Sequence, residues 1–525
     1  MVNILLKKIL EIEDVAAIQP NFALLAKLTK EQASQAQTLI FDAVKNTLRL
    51  LTTNENPPAV DTITQNLQKK GYKTELYYTD VVSFQTALAW YDQMAQHQAE
   101  TAEATAHTQN AQGSSAEEMI QKLYDEKQNY DDGKFLGEMI RLTYQSGASD
   151  LHFQQEEGAV LMRMRKDGLL KELLRFTPIE FKKYLLKLKF MAGAKMNIDY
   201  LPQDGRFDFD VDINGNQKKI DVRVSFMPGL RGEGVVMRYL DAEGSIKTFT
   251  DIGFTEDHIE LMKKHLNSNF GMILVTGPTG SGKTTTLYSM LNYLNDSRKK
   301  IITLEDPVEY EIPGVEQSQI NALKGYTFEE GLKSILRHDP DIILVGEIRT
   351  KETAEIALNA ALTGHLVLST LHTNSAVEAI SRLLNLGVEP YMLAPALNMI
   401  VGQRLLRQLH TCATKQDATM AQNEEIKAAV RTISQIDPRH TPTYDGHIFA
   451  PVGCDECNND GYAWRLAVAE ILDVTTNIKD MILTGKSTLD IYAEVRSHGY
   501  LTMKDDAYTK MLEGKTTLDE IRRVL

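Results

Sequence analysis

Residues Gly277, Pro278, Thr279, Gly280, Ser281, Gly282, Lys283 and Thr284 place glycine, lysine and hydroxyl groups at the spacing G-x-x-x-x-G-K-[ST]. Glycines allow a turn whose backbone N–H groups face inward, where they can hold phosphate oxygens at the positive end of a helix. Lys283 supplies a cation for β- and γ-phosphates, and the Thr284 hydroxyl is placed to ligate Mg2+. The apolar run MILVT (272–276) precedes the loop as a buried strand, and TTLYSMLNYL (285–294) follows as a helix that opens at Thr285. Residues 277–285 therefore read as a nucleoside-triphosphate site.

Hydrolysis requires carboxylates near that loop. The run DIILVGE (341–347) is an apolar strand ending in Glu347, which can hold a metal's water shell or orient an attacking water. A second apolar strand, IITLEDPVE (301–309), ends in Glu305, Asp306 and Glu309, at the strand end where α/β sheets bind ligands. A third stretch, TGHLVLSTLHTN (363–374), brackets an apolar strand with His365 and His372. Seven residues apart on a strand of period two, these histidines point to opposite faces.

The elements that must position these groups are legible as patterns. From about residue 250 the chain repeats strand, glycine loop and helix, which predicts a parallel sheet covered by helices. Residues 476–525 read as a helical tail. Between 119 and 245, strands at 159–165, 207–213, 219–226 and 234–240 and a helix at 181–193 predict a mixed α/β domain. Residues 93–118, rich in Ala, Gln, Thr, Ser and Glu, have too little apolar surface to fold and read as a linker. Upstream, 1–92 reads as a small α/β module, with strands near 48–53 and 72–78 and a helix through Ile63 and Leu67. Ile4, Leu5, Ile9, Ile12 and Val15 fit one face of an opening amphipathic helix.

Composition narrows the function. Lys+Arg number 57 against 71 Asp+Glu, a net charge of −14 that argues against a nucleic-acid binder. Three cysteines in 525 residues make no disulfide framework and indicate a reducing compartment. No uninterrupted apolar run is long enough for a transmembrane helix, and the start lacks a signal-peptide pattern.

GPTGSGKTT, ITLEDPVEY, DPDIILVGEIR and TGHLVLSTLHTN, in this order, resemble the ATPases of type II secretion and type IV pilus assembly. ASDLHF (148–153), LPQDGRFDF (201–209), DVRVS (221–225), QRLLRQL (403–409) and the ending LEGKTTLDEIRRV (512–524) extend the likeness from about residue 148 onward. The resemblance implies an α/β, multidomain ATPase. Its RecA-like P-loop core would span 246–475, with a cysteine-bearing insertion at 408–465, and its PAS-like middle domain would be 119–245. The 1–92 module would dock a partner. The resemblance also implies that Arg206, Arg223 and Arg238 reach the γ-phosphate and that His365 and His372 lie near the nucleotide.

The implied machine is a homo-hexamer at the cytoplasmic face of the inner membrane, binding ATP and Mg2+ and coupled to a membrane platform protein. The N-terminal module favours the extension or secretion branch over retraction. A nucleic-acid-translocating motor and a non-catalytic nucleotide-binding scaffold are the alternatives. The family's zinc site of two C-x-x-C pairs is altered here: Cys454 and Cys457 keep one pair, while His410 and Cys412 stand for the other. Two further departures are Thr350, where the family has Asp, and Trp464, where it has Gly.

Overall fold

The computed structural model describes residues 8–9, 15, 18, 22–44, 47–53, 57–92, 94, 116–213, 216–240, 247–457 and 459–525. The chain divides into two compact units, Met1–Ser114 and Ser115–Leu525. Most of the 93–118 segment lies outside the described residues, and the chain resumes with the helix Ala116–Asp125.

The first unit holds a four-stranded sheet in the order Lys8–Ile9, Lys73–Tyr78, Thr47–Thr52, Thr38–Val44. Only the Thr38–Val44 pairing is antiparallel. Alternation along that strand sends Leu39 and Phe41 to one face, against Phe84 and Trp90, and Ile40 to the other, against Leu67. Lys8 and Ile9 pair with Tyr77 and Tyr78 as a strand, which corrects the helix expected there. The other residues of that expected helix, Val15 apart, lie outside the described ones.

In the second unit a six-stranded antiparallel sheet comes first. Its order is Leu169–Phe176, Val160–Lys166, Ala148–Gln155, Gly232–Leu240, Asn216–Gly229, Gln203–Ile213. One face buries Phe153, Val222, Val235 and Met237 with Phe135 and Phe181 of the helices Asp132–Gln145 and Pro178–Met191. The other face carries charge, as the period of two demands.

The seven-stranded sheet that follows runs Glu316–Gln319, Ile301–Glu305, Ile342–Val345, Leu366–Leu371, Gly271–Thr276, Leu397–Leu409, Tyr462–Asp473. Every pairing is parallel except the last. Gly271–Thr276, Ile342–Val345 and Leu366–Leu371 are buried at every residue. Helices cover both faces, so these strands read as unbroken apolar runs rather than alternating ones. Burial of each Leu or Ile side chain stabilises by roughly 1.5–3 kcal/mol before chain entropy is counted.

Between Leu409 and Tyr462 the chain leaves the sheet to form a two-stranded ribbon and the helix Met420–Ile436. That helix packs through Ile426 and Ile433 on Tyr508, Met511 and Ile521 of the closing helices. Thr350 caps the helix Lys351–Leu362, its hydroxyl accepting from the Thr353 N–H. Asp caps helices equally well, so the Thr for Asp exchange keeps the local structure. Trp464 lies exposed on the outermost strand, with Lys247 Nζ 5.6 Å from its ring centre.

Candidate functional site

The loop 277–282 joins the interior strand Gly271–Thr276 to the helix Lys283–Leu294, whose first turn carries Lys283 and Thr284. Gly280 and Gly282 adopt φ of 80° and 87°, where a side chain would strain the backbone. Lys283 Nζ donates to the carbonyls of Gly277 and Pro278, at 2.8 and 3.0 Å. Burial lowers its pKa, with Glu347 acting in the opposite sense. A cavity of about 510 Å³ adjoins the loop, lined among others by Pro278, Thr279, His372, Asn374, Glu378 and Arg382.

Glu347 follows the strand Ile342–Val345, one strand removed from the phosphate-loop strand. The intervening strand Leu366–Leu371 ends at His372, whose Nε2 stands 3.6 Å from Glu347 Oε2. Oε1 of Glu347 pairs with Arg349 at 2.6 Å, a partner overlooked in the sequence although it stands two residues on. Burial, Lys283 and Arg349 hold the His372 pKa below its usual value, with Glu347 acting in the opposite sense. Lysine, carboxylate and histidine thus meet at the C-terminal ends of neighbouring parallel strands, and the exposed Thr284 follows Lys283 in the first turn of the helix. This donor set fits a hydrated Mg2+ beside a nucleotide's phosphates.

His365 is elsewhere. It precedes the strand that His372 follows, and its Nδ1–H donates to the Ala360 carbonyl at 2.9 Å. Seven residue steps at about 3.3 Å each separate the two histidines by roughly 23 Å. The expectation that both lie near one chain's nucleotide site is therefore corrected for His365.

The acidic cluster is divided too. Glu305 is buried, and its carboxylate accepts from Tyr288 and Thr303 at 2.5 Å each and from Gln317 at 3.2 Å. It anchors the phosphate-loop helix to the sheet through Tyr288. Asp306 is exposed and interacts electrostatically with Arg349. Glu309 faces the antiparallel sheet: Arg223 lies 3.3 Å from its carboxylate and donates to the Val308 carbonyl at 2.8 Å. Burial raises the Glu309 pKa while Arg223 and Arg238 oppose that rise.

The three arginines form a row. Arg206 is directly opposite Arg223, Arg223 opposite Arg238, Arg238 opposite Asp150, and Asp150 opposite Arg165. Asp221 takes the Arg206 Nε at 2.6 Å and Asp150 the Arg238 Nε at 2.8 Å, which offsets the repulsion between facing cations. Asp150 and Arg165 escaped the sequence reading because only strand register places them beside the other three.

His410, Cys412, Cys454 and Cys457 converge, their ligand atoms all within 4.8 Å of one another. Sγ of Cys457 is 3.9 Å from that of Cys412 and 3.8 Å from that of Cys454, and Nδ1 of His410 is 3.5 Å from Cys454 Sγ. Tetrahedral coordination with metal–sulfur bonds of about 2.3 Å sets such edges at about 3.6–3.8 Å. N–H groups of Cys454 and Gly461 donate to the Cys457 sulfur, as around a thiolate. The tight H-x-C spacing is no obstacle, because the backbone turns at His410 as the strand ends.

Residues 128–523 match the family described as Type II/IV secretion system protein. The chain is 40% identical over 389 residues to type II secretion system protein E of Pseudomonas aeruginosa, covering 74% of each. It is 39% identical over 401 residues to the type IV pilus assembly ATPase PilB of the same organism, covering 74% of this chain and 67% of the relative. Among solved structures, the ATPase DotB of Legionella pneumophila superposes with a TM-score of 0.52 at 20% identity, over 73% of this chain and 93% of that one. DotB of Yersinia pseudotuberculosis gives 0.54 at 19% identity, over 75% and 94%. These two structures share the fold. With a family match spanning most of its length and a phosphate loop intact in sequence and geometry, the chain belongs to the Type II/IV secretion system protein family and is an ATPase.

Proposed function

We propose that this ATPase is a motor of type IV pilus assembly or type II secretion, working as a ring of six copies at the cytoplasmic face of the inner membrane. The observation that carries the reading is the meeting of Lys283, Glu347 and His372 at the phosphate loop of a chain similar to both kinds of relative. Among the described residues no helix is long and apolar enough to cross a membrane, so membrane attachment would pass through a platform protein. The 1–92 module is assigned to docking a membrane partner.

In this reading residues 277–285 bind the triphosphate of ATP. Thr284 and Glu347 would hold Mg2+, which neutralises phosphate charge when bound. Glu347 orients the attacking water and takes up its proton, His372 senses the terminal phosphate, and Arg349 holds the other oxygen of the Glu347 carboxylate in place. Arg223, flanked by Arg206 and Arg238, supplies cationic charge from the antiparallel sheet. Asp306 and Glu309 tie that sheet to the site through Arg349 and Arg223, while Glu305 positions the phosphate-loop helix. His410, Cys412, Cys454 and Cys457 would hold a structural Zn2+ with no open position, bracing the insertion against the sheet.

ATP turnover by purified Lys283→Ala protein tests the site. Loss of turnover is expected, and wild-type turnover would sink the assignment. Stimulation of turnover by added DNA would instead favour a nucleic-acid motor.

A further inference from the structure

The phosphate loop is shaped from outside by one side chain of the QRLLRQL motif. Gln403 is fully buried on the strand Leu397–Leu409, next to the phosphate-loop strand. Its Nε2 donates to the Ser281 carbonyl at 2.9 Å, and its Oε1 accepts from the Thr286 hydroxyl at 2.7 Å. Both ends of the amide are thus spent on the loop and on the helix that leaves it.

We propose that Gln403 is a positioning residue for nucleotide binding, acting through the Ser281–Gly282 peptide. The peptide is planar and trans, so its carbonyl and its N–H point in opposite directions. Holding the Ser281 carbonyl toward Gln403 therefore aims the Gly282 N–H away from it. That N–H is one of the donors a phosphate-binding loop presents, and a rotated peptide plane would turn a carbonyl toward the anion instead. The loop's glycines fit the same template. A Cβ at Gly282 would lie 2.8 Å from Gln403 Nε2, and one at Gly277 would lie 2.6 Å from the Gln403 carbonyl. Gln403 and the loop approach each other as closely as glycine permits.

The same strand carries the constraint further. Arg404 donates to the Asn374 carbonyl and side chain at 3.3 and 3.2 Å, two residues past His372. Gly402, on the other side, faces the buried Glu470, which accepts from the first N–H groups of helices Ala376–Asn385 and Met503–Leu512. The loop geometry set by Gln403 is thereby fixed relative to both the His372 segment and the closing helices.

The inference rests on residues 277–285 being the nucleotide site, and the experiment separates the two. Binding of a fluorescent ADP analogue with Mg2+ is measured for full-length wild type, Gln403→Met, Gln403→Glu and Thr286→Val, with thermal unfolding of each without nucleotide. Gln403→Met removes both hydrogen bonds at similar volume. Gln403→Glu, ionised, retains the acceptor for Thr286 and loses the donor to Ser281, and Thr286→Val keeps the Ser281 bond and loses the other. About a tenfold or greater loss of affinity is expected in both Gln403 variants, with Thr286→Val within about twofold of wild type. The inference is overturned if Gln403→Glu binds like wild type, or if Thr286→Val weakens binding as much. A wild-type protein that does not bind the analogue would instead overturn the nucleotide-site reading. Should Gln403→Met fail to fold, Gln403→Glu and Thr286→Val still decide the matter.

Discussion

Nε2 of His372 stands 3.6 Å from Oε2 of Glu347, across the ends of two adjacent parallel strands whose registers fix the distance. The pair is completed by Arg349 on the other carboxylate oxygen, so Glu347 is held between an imidazole and a guanidinium.

Glu347→Gln keeps the shape of that side chain and removes its charge. Steady-state assays are expected to show turnover reduced by about 100-fold or more, with nucleotide binding retained. Undiminished turnover would show that the attacking water is oriented by another group.

Arg223 is the arginine of the row that touches the acidic segment, through Glu309 and the Val308 carbonyl. Arg223→Gln is expected to lower turnover by about 100-fold with little change in thermal unfolding, as loss of transition-state charge does. A large fall in melting temperature with unchanged turnover would make Arg223 a structural tie between the two sheets instead.

Zinc analysis of the purified chain should find about one equivalent. Cys454→Ser or His410→Ala should lose the metal and destabilise the insertion. The informative measurement is zinc content alongside proteolysis between residues 409 and 462. Wild-type protein free of zinc, with folding indifferent to chelator, would remove the metal from the account.

Glu520 offers a pH test. Its side chain is 2% exposed and pairs with Arg407 at 2.7 Å and Arg523 at 2.5 Å, joining the last helix to the strand Leu397–Leu409. Burial alone would raise its pKa, but the arginine hydrogen bonds outweigh that and hold it at about 2. The folded value lies below the ordinary 4.5, so the stabilisation is complete above pH 4.5 and lost as pH falls toward 2. Glu520→Gln should cost roughly 3 kcal/mol at pH 7 and flatten that acid limb in urea melts. An identical acid limb in the variant would assign it to other carboxylates.

What the sequence by itself determined was the chemistry held in contiguous residues. The phosphate loop, the apolar strands at 272–276 and 342–345 and the Cys454–Cys457 pair are local patterns, and local patterns survive without knowledge of neighbours. Tertiary structure decided what depends on register and on which strand lies beside which. It placed Arg206, Arg223 and Arg238 in one row with Asp150 and Arg165 by antiparallel pairing across five strands. It separated His365 from His372 because a strand is extended and carries its two ends far apart. It turned Glu305 inward onto Tyr288 while Glu309, four residues on, meets the other sheet. And it set Gln403, some 120 residues along the chain from Ser281, against the loop whose peptide it holds.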